Sequence, residues 1–223
     1  MADEHTPPPT MPAYPARLEI DYPEEGLDRA STAFRLVLML PIGVIAALLT
    51  TNALDWTGED AAVGLELWTA SLTAGGFVFL PALLMIVFRR KYPRWWFDWN
   101  LELMRFTTRV SAYFFLLRDE YPSTDEQQAV HLDIDYPDAS RDLNRWLPLV
   151  KWLLAFPHYI ALVPISLMAL VLLVVAWFAI LFTGRYPRGI FDFEVGLLRW
   201  GLRVQAYMAL LATDRYPPFR LWS

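Results

Sequence analysis

The chain has 223 residues, 56% hydrophobic and 19% charged, with 10 Trp, 10 Tyr, 14 Phe and no Cys. Ordinary soluble domains carry about 25% charged residues, so the composition leans away from that class. A formal net charge of −5 argues against a nucleic-acid binder, and the lack of Cys excludes disulfides, thiolate metal sites and Cys nucleophiles.

Residues 1–13 hold Pro7, Pro8, Pro9 and Pro12 and no apolar run. Such a segment cannot bury a core, so a disordered tail is predicted. It has neither the basic start nor the apolar middle of a signal peptide. Arg17 to Tyr22 then alternates polar and apolar residues, the period of a half-buried strand, and Pro23 ends it. Residues 36–54 and 67–88 follow, 19 and 22 residues without Asp, Glu, Lys or Arg. A bilayer crossing takes about 20 apolar residues, so membrane helices are predicted at about 34–54 and 67–88. The stretch 55–66 between them carries Asp55, Glu59, Asp60 and Glu66 and no cation. Arg29 and Arg35 precede the pair, and Arg89, Arg90, Lys91 and Arg94 follow it. Cations gather on the cytoplasmic side, so the two helices cross out and back, with the N-terminus inside.

A helix over 94–117 is predicted next, lying in the membrane interface. Asp98, Glu102, Arg105 and Arg109 follow at spacings of 4, 3 and 4, which puts them in one narrow stripe. Asp119-Glu120-Tyr121-Pro122 closes this region. His131 to Tyr136 repeats the alternation of residues 17–22, and the two short strands can pair with each other or each with its own Tyr-Pro exit. A third uncharged run, 152–184, is 33 residues long. It has Arg141, Arg145 and Lys151 before it and Arg185 and Arg188 after it, so both flanks read as cytoplasmic. A straight helix of that length would measure about 50 Å against a hydrocarbon core of about 30 Å. A helical hairpin over about 146–183 meets both facts, with its turn near Val163-Pro164-Ile165-Ser166. The rival is a single tilted, Pro-kinked helix. A second interfacial helix is predicted over 188–211.

The chain is internally repeated. Residues 91–117 and 185–211 align without a gap and share 13 of 27 positions, including Tyr92/Tyr186, Pro93/Pro187, Phe97/Phe191, Asp98/Asp192, Arg105/Arg199, Arg109/Arg203 and Tyr113/Tyr207. Leu18-Glu19-Ile20-Asp21-Tyr22-Pro23 matches Leu132-Asp133-Ile134-Asp135-Tyr136-Pro137, and Asp119-Glu120-Tyr121-Pro122 matches Asp214-Arg215-Tyr216-Pro217. The expected architecture is therefore mainly α and integral to the membrane, in two tandem repeats over 14–122 and 128–220. Each repeat comprises a short cytoplasmic β-strand, a transmembrane helix pair and an amphipathic interfacial helix.

Two uses of the charged stripe compete. Arg105 beside Arg109 needs a counter-ion. Asp98, Glu102 and Asp192 can supply it as structural ion pairs. Alternatively Arg94, Arg105, Arg109, Arg188, Arg199 and Arg203 can hold a lipid phosphate or an acidic partner. Catalytic signals are absent from the sequence. His5, His131 and His158 have no ligand spacing, and there is no G-x-S-x-G, P-loop, H-E-x-x-H or G-x-G-x-x-G. His158 lies in an apolar run, but the matching residue of the first repeat is Ile42, aligning Pro41 with Pro157. No catalytic residue, metal or cofactor is expected.

The pattern [KR]YPR-x-x-FD-[WF], then R-x-x-x-RV-x-AY-x-x-LL, then D-[ER]-YP resembles a family of prokaryotic membrane proteins known as domain of unknown function 4389. Residues 176–193, AWFAILFTGRYPRGIFDF, and 213–218, TDRYPP, carry it best. The first copy departs from it, with Phe88-Arg89-Arg90-Lys91 where the second has Phe182-Thr183-Gly184-Arg185, and Trp95-Trp96 for Gly189-Ile190. The resemblance implies a multi-pass protein of a prokaryotic cell membrane and brings no catalytic residues. The expected function is a non-catalytic scaffold or accessory subunit, with N-terminus, charged helices and C-terminus cytoplasmic. Its partners would be membrane lipids with anionic headgroups, a membrane protein or a second copy. The alternatives are a small lipid or solute transporter with its pathway between the repeats, and a lipid-modifying membrane enzyme.

Overall fold

A computed structural model describes residues 14–50, 82–124, 126 and 128–222, with side chains for all of these except 47–50. The tail 1–13, the acidic stretch 55–66 and most of the second apolar run lie outside the described residues. The elements are β1 (Ala16–Ile20), α1 (Arg29–Ala33), α2 (Arg35–Thr50), a π-helical turn at Met85–Arg89, α3 (Arg94–Phe114), β2 (Val130–Ile134), α4 (Pro148–Thr183) and α5 (Arg188–Met208). Among the described residues the fold is mainly helical with one two-stranded sheet.

β1 and β2 pair antiparallel, with Leu18 opposite Leu132, Ala16 opposite Ile134 and Ile20 opposite Val130. The pair at the centre consists of matching residues of the repeated motif. Each strand is therefore turned end for end on the other about the Leu18–Leu132 pair. Both strands alternate buried and exposed. Ala16, Leu18, Ile20, Val130, Leu132 and Ile134 enter the core, while Arg17, Glu19, His131 and Asp133 stay in solvent. β1 packs on α5 and β2 on α3, so each strand lies against the other block's helix.

Where the third apolar run was expected to turn back as a hairpin, the structure has one continuous helix, α4, through both Pro157 and Pro164. A proline removes one backbone donor and crowds the preceding turn. It does not by itself create a reversal, which needs residues that leave the helical region. Val163-Pro164-Ile165-Ser166 offers no glycine, and Pro157 and Pro164 are both exposed. The chain stops at Gly184 instead, in the left-handed region at φ 73°, the usual closing residue of a helix. Lys151, Ala155, His158, Leu162, Ser166, Ala169, Ala176 and Ile180 form a single buried stripe along α4 at spacings of three, four and seven.

α3 and α5 each begin directly after the proline of a Tyr-Pro pair, with Pro93 and Pro187 extended at φ −66° and −63°. They end at Phe114 and Met208, slightly inside the expected limits of 117 and 211. At the end of α3, Leu116 N–H donates to Tyr113 O and Leu117 N–H to Ala112 O, and Leu116 takes φ 60°. That is a Schellman closure with leucine in the place glycine usually holds. In α5 the left-handed residue is Leu211, at φ 56°, and Ala212 N–H donates to Ala206 O. One extra residue therefore sits just after α5. Beyond the helices Leu116 matches Leu211, where the gapless alignment had matched it with Leu210.

Candidate functional site: the charged helices and their supports

The motif residues shared by the two blocks make contacts that come in matched pairs. Arg105 Nε donates to Leu132 O at 3.0 Å, and Arg199 Nε donates to Leu18 O at 2.7 Å. Tyr22 OH donates to Tyr186 O, and Tyr136 OH to Tyr92 O. Tyr186 OH donates to Phe115 O at 3.1 Å, and Tyr92 OH to Leu210 O at 2.6 Å. Phe191 meets Tyr22 edge-on at 5.0 Å, and Phe97 meets Tyr136 at 5.1 Å. Arg188 lies over the Tyr22 ring at 4.5 Å, and Arg94 over Tyr136 at 5.1 Å. Each pair links a residue of one block to its counterpart's neighbour in the other. A tyrosine that turns its ring into the core and its hydroxyl onto a carbonyl satisfies both ends of an amphipathic side chain.

The six arginines singled out by the sequence are thus engaged within the chain. Arg105 also pairs with Glu102 at 2.7 Å and with Asp133 at 2.8 Å. Arg109 donates to Ser123 O at 2.8 Å, and Arg203 to Arg220 O. Arg94 and Arg188 remain exposed at the starts of α3 and α5, beside their tyrosines. Among the three acidic residues assigned to ion pairs, Glu102 binds Arg105. Asp98 and Asp192 are exposed and form no salt bridge among the described residues. In the second block Gly196 replaces Glu102, and the reason is packing. A Cβ at Gly196 would stand 3.1 Å from Leu221, so the glycine leaves room for the C-terminal segment.

Two buried cations sit at a place sequence reasoning passed over. Arg35 pairs with Asp119, donates to Arg118 O at 3.2 Å and lies 4.0 Å above the Tyr113 ring. Lys151 pairs with Asp214 at 2.7 Å, donates to Thr213 O at 2.7 Å and lies 4.9 Å above Tyr207. Each stands six residues before a matched proline, Pro41 or Pro157, and each binds the Asp of a D-[ER]-YP exit. That recurrence was the available signal. A buried cation with carboxylate, carbonyl and ring partners is costly to orphan, so these sites fasten the apolar helices to the exits of α3 and α5.

Two further side chains are peculiar to the second block. His158 Nδ1 accepts from Trp200 Nε1 at 3.1 Å and stacks on Phe219 at 3.9 Å. Its counterpart Ile42 packs with Phe106 and Val110. Glu194 is fully buried in α5, and among the described residues neither carboxylate oxygen has a hydrogen-bond partner. Burial pushes its pKa up to about 8. The matching Asn100 is also buried and donates to Trp96 O at 2.6 Å.

No curated protein and no solved structure matches the chain. Residues 146–220, from just before α4 through α5 and the Tyr-Pro exit, match the family model described as Domain of unknown function (DUF4389).

Proposed function

We propose that this chain is a non-catalytic integral membrane protein, a scaffold or accessory subunit built from two copies of one unit. The observation that carries the membrane reading is the outward face of α4. Trp152, Phe156, Ile160, Val163, Leu167 and Val171 each stand 59–61% exposed. Only 22% of its most apolar stretch is buried, and the helix is long and apolar enough to cross a membrane. Burying one such side chain is worth about 1.5–3 kcal/mol. Holding six of them in water would forfeit on the order of 5–10 kcal/mol, comparable with the whole stability of a domain. A lipid phase removes that cost.

The scaffold reading is supported by how the shared polar residues are used. Arg105, Arg109, Arg199 and Arg203 tie helices to strands and exits, which gives a braced platform. The matched contacts between the blocks support the two-copy reading. The finer version keeps the N-terminus, α3, α5 and the C-terminus cytoplasmic and the acidic stretch 55–66 outside. Exposed Arg89, Arg90 and Lys91 are then available to anionic headgroups, as are the outward sides of Arg94 and Arg188 above their tyrosines, beside exposed Trp95 and Trp99.

Alkaline extraction of native membranes tests the membrane reading: the chain is expected to stay in the pellet, and its release would refute it. Mild-detergent purification from the same membranes tests the scaffold reading. A stoichiometric membrane protein is expected to co-purify, and turnover of an added lipid by the pure chain would replace the reading with an enzyme.

A further inference from the structure

We infer that α4 does not cross the membrane but lies along its cytoplasmic face, burying its outward ridge in one leaflet. This rests on the membrane reading above and concerns how the helix meets the lipid. The helix α5 returns alongside α4, and chain lengths require it. From His158 to Gly184 α4 rises about 39 Å. The link from Gly184 to Arg188 spans at most about 14 Å, and Arg188 to Trp200 rises about 18 Å. The His158–Trp200 hydrogen bond of 3.1 Å then closes the circuit, two side chains bridging about 11 Å between backbones. The return path exceeds the outward path by only about 4 Å. α5 must therefore run antiparallel to α4 at a small angle. Met208, eight residues further along α5 than Trp200, still meets Tyr159 at 3.0 Å, and beyond α5 Thr213 accepts from Lys151 near the start of α4.

α5 also carries the sheet. Arg199, midway along it, holds Leu18 O, and β1 packs on the helix. The sheet's outer face shows Arg17, Glu19, His131 and Asp133 to solvent. If α4 stood across the bilayer, α5 would stand with it and carry those charges into the hydrocarbon, at about 2.5–3.5 kcal/mol or more for each. With α4 lying flat, the sheet stays in water, α5 occupies the boundary and only the apolar ridge enters lipid. The flanking cations fit the same geometry. Arg141 and Arg145 at one end and Arg185 and Arg188 at the other can all be cytoplasmic without a hairpin.

The native chain has no Cys, so labelling is direct. Arg141→Cys and Arg185→Cys, both exposed, are placed singly in the full chain. Intact cells and inverted membrane vesicles are treated with a membrane-impermeant maleimide. Both positions are expected to label at least tenfold faster in inverted vesicles. Labelling from opposite faces, with the chain still held at alkaline pH, overturns the flat placement and leaves the membrane reading standing. Release at alkaline pH takes down both. Fluorescent labels at Leu153→Cys and Leu167→Cys, near one end and near the middle of α4 and both exposed, give a second measure. Equal quenching by shallow lipid quenchers is expected, and a depth difference near a full leaflet overturns the inference.

Discussion

Single residues here do work that their types alone do not announce. Arg105 and Arg199 look like headgroup ligands, yet each donates its Nε to the carbonyl of a leucine in the opposite strand. A backbone carbonyl leaves no mark in a sequence, so this use was not legible. Arg105→Gln and Arg199→Gln should each loosen the sheet and lower stability by about 1–3 kcal/mol, read as a fall in melting temperature in detergent. Glu194 is the clearest residue-scale liability. Its raised pKa of about 8 means that the folded state favours the protonated form. Its contribution to stability is complete below the unfolded value near 4.5 and is lost as pH rises through about 8. Glu194→Gln should flatten this dependence and leave the variant more stable than the parent at pH 9 by about 2–4 kcal/mol. A pH series of melting curves checks it. Gly26 has a steric role: its φ is 89°, and a Cβ there would stand 2.7 Å from Gly184 O. Gly26→Ala should cost about 2 kcal/mol or more by that clash and the left-handed backbone, seen in the same melting assay.

Among the elements, α3 and α5 were legible because a Tyr-Pro start, a Phe-Asp first turn and a stripe of period 3.6 recur twice. Helix ends were the weaker part, since Leu116 and Leu211 adopt the left-handed conformation that glycine usually marks. α4 was legible as an apolar run, with a hairpin preferred and a single kinked helix as its rival; the structure has the single helix. Proline signals local loss of a bond, while continuity was decided by the buried stripe from Lys151 to Ile180 on a helix packed by both α5 and α1. Pro164→Ala provides a clean discrimination. In one continuous helix it restores a donor and should be neutral or stabilising, by up to about 3 kcal/mol. If a turn were required there, the same change would destabilise. The comparison is by thermal unfolding, with helicity followed by circular dichroism.

At the scale of the molecule, each block is incomplete without the other. β1 packs on α5, β2 packs on α3, and Tyr22 and Tyr136 reach across to Tyr186 and Tyr92. Cutting the backbone within 123–129 should leave the two pieces associated when they are co-expressed, and the tagged first piece should retain the second through purification. Adding Arg105→Gln and Arg199→Gln together should separate them. Composition, period and the doubled motif by themselves determined an apolar, mainly helical protein with two charged helices and two short strands. These features follow from local side-chain pattern, which the sequence carries directly. Only the tertiary structure decided that each strand pairs with its counterpart, that the arginines are used internally and that α4 runs unbroken beside α5. Two strands of the same alternating pattern offer the same hydrogen-bonding edge to several partners, and a proline within an apolar run permits either a bend or a turn. Such choices are settled by the packing of residues far apart in the chain, where local pattern has nothing to say.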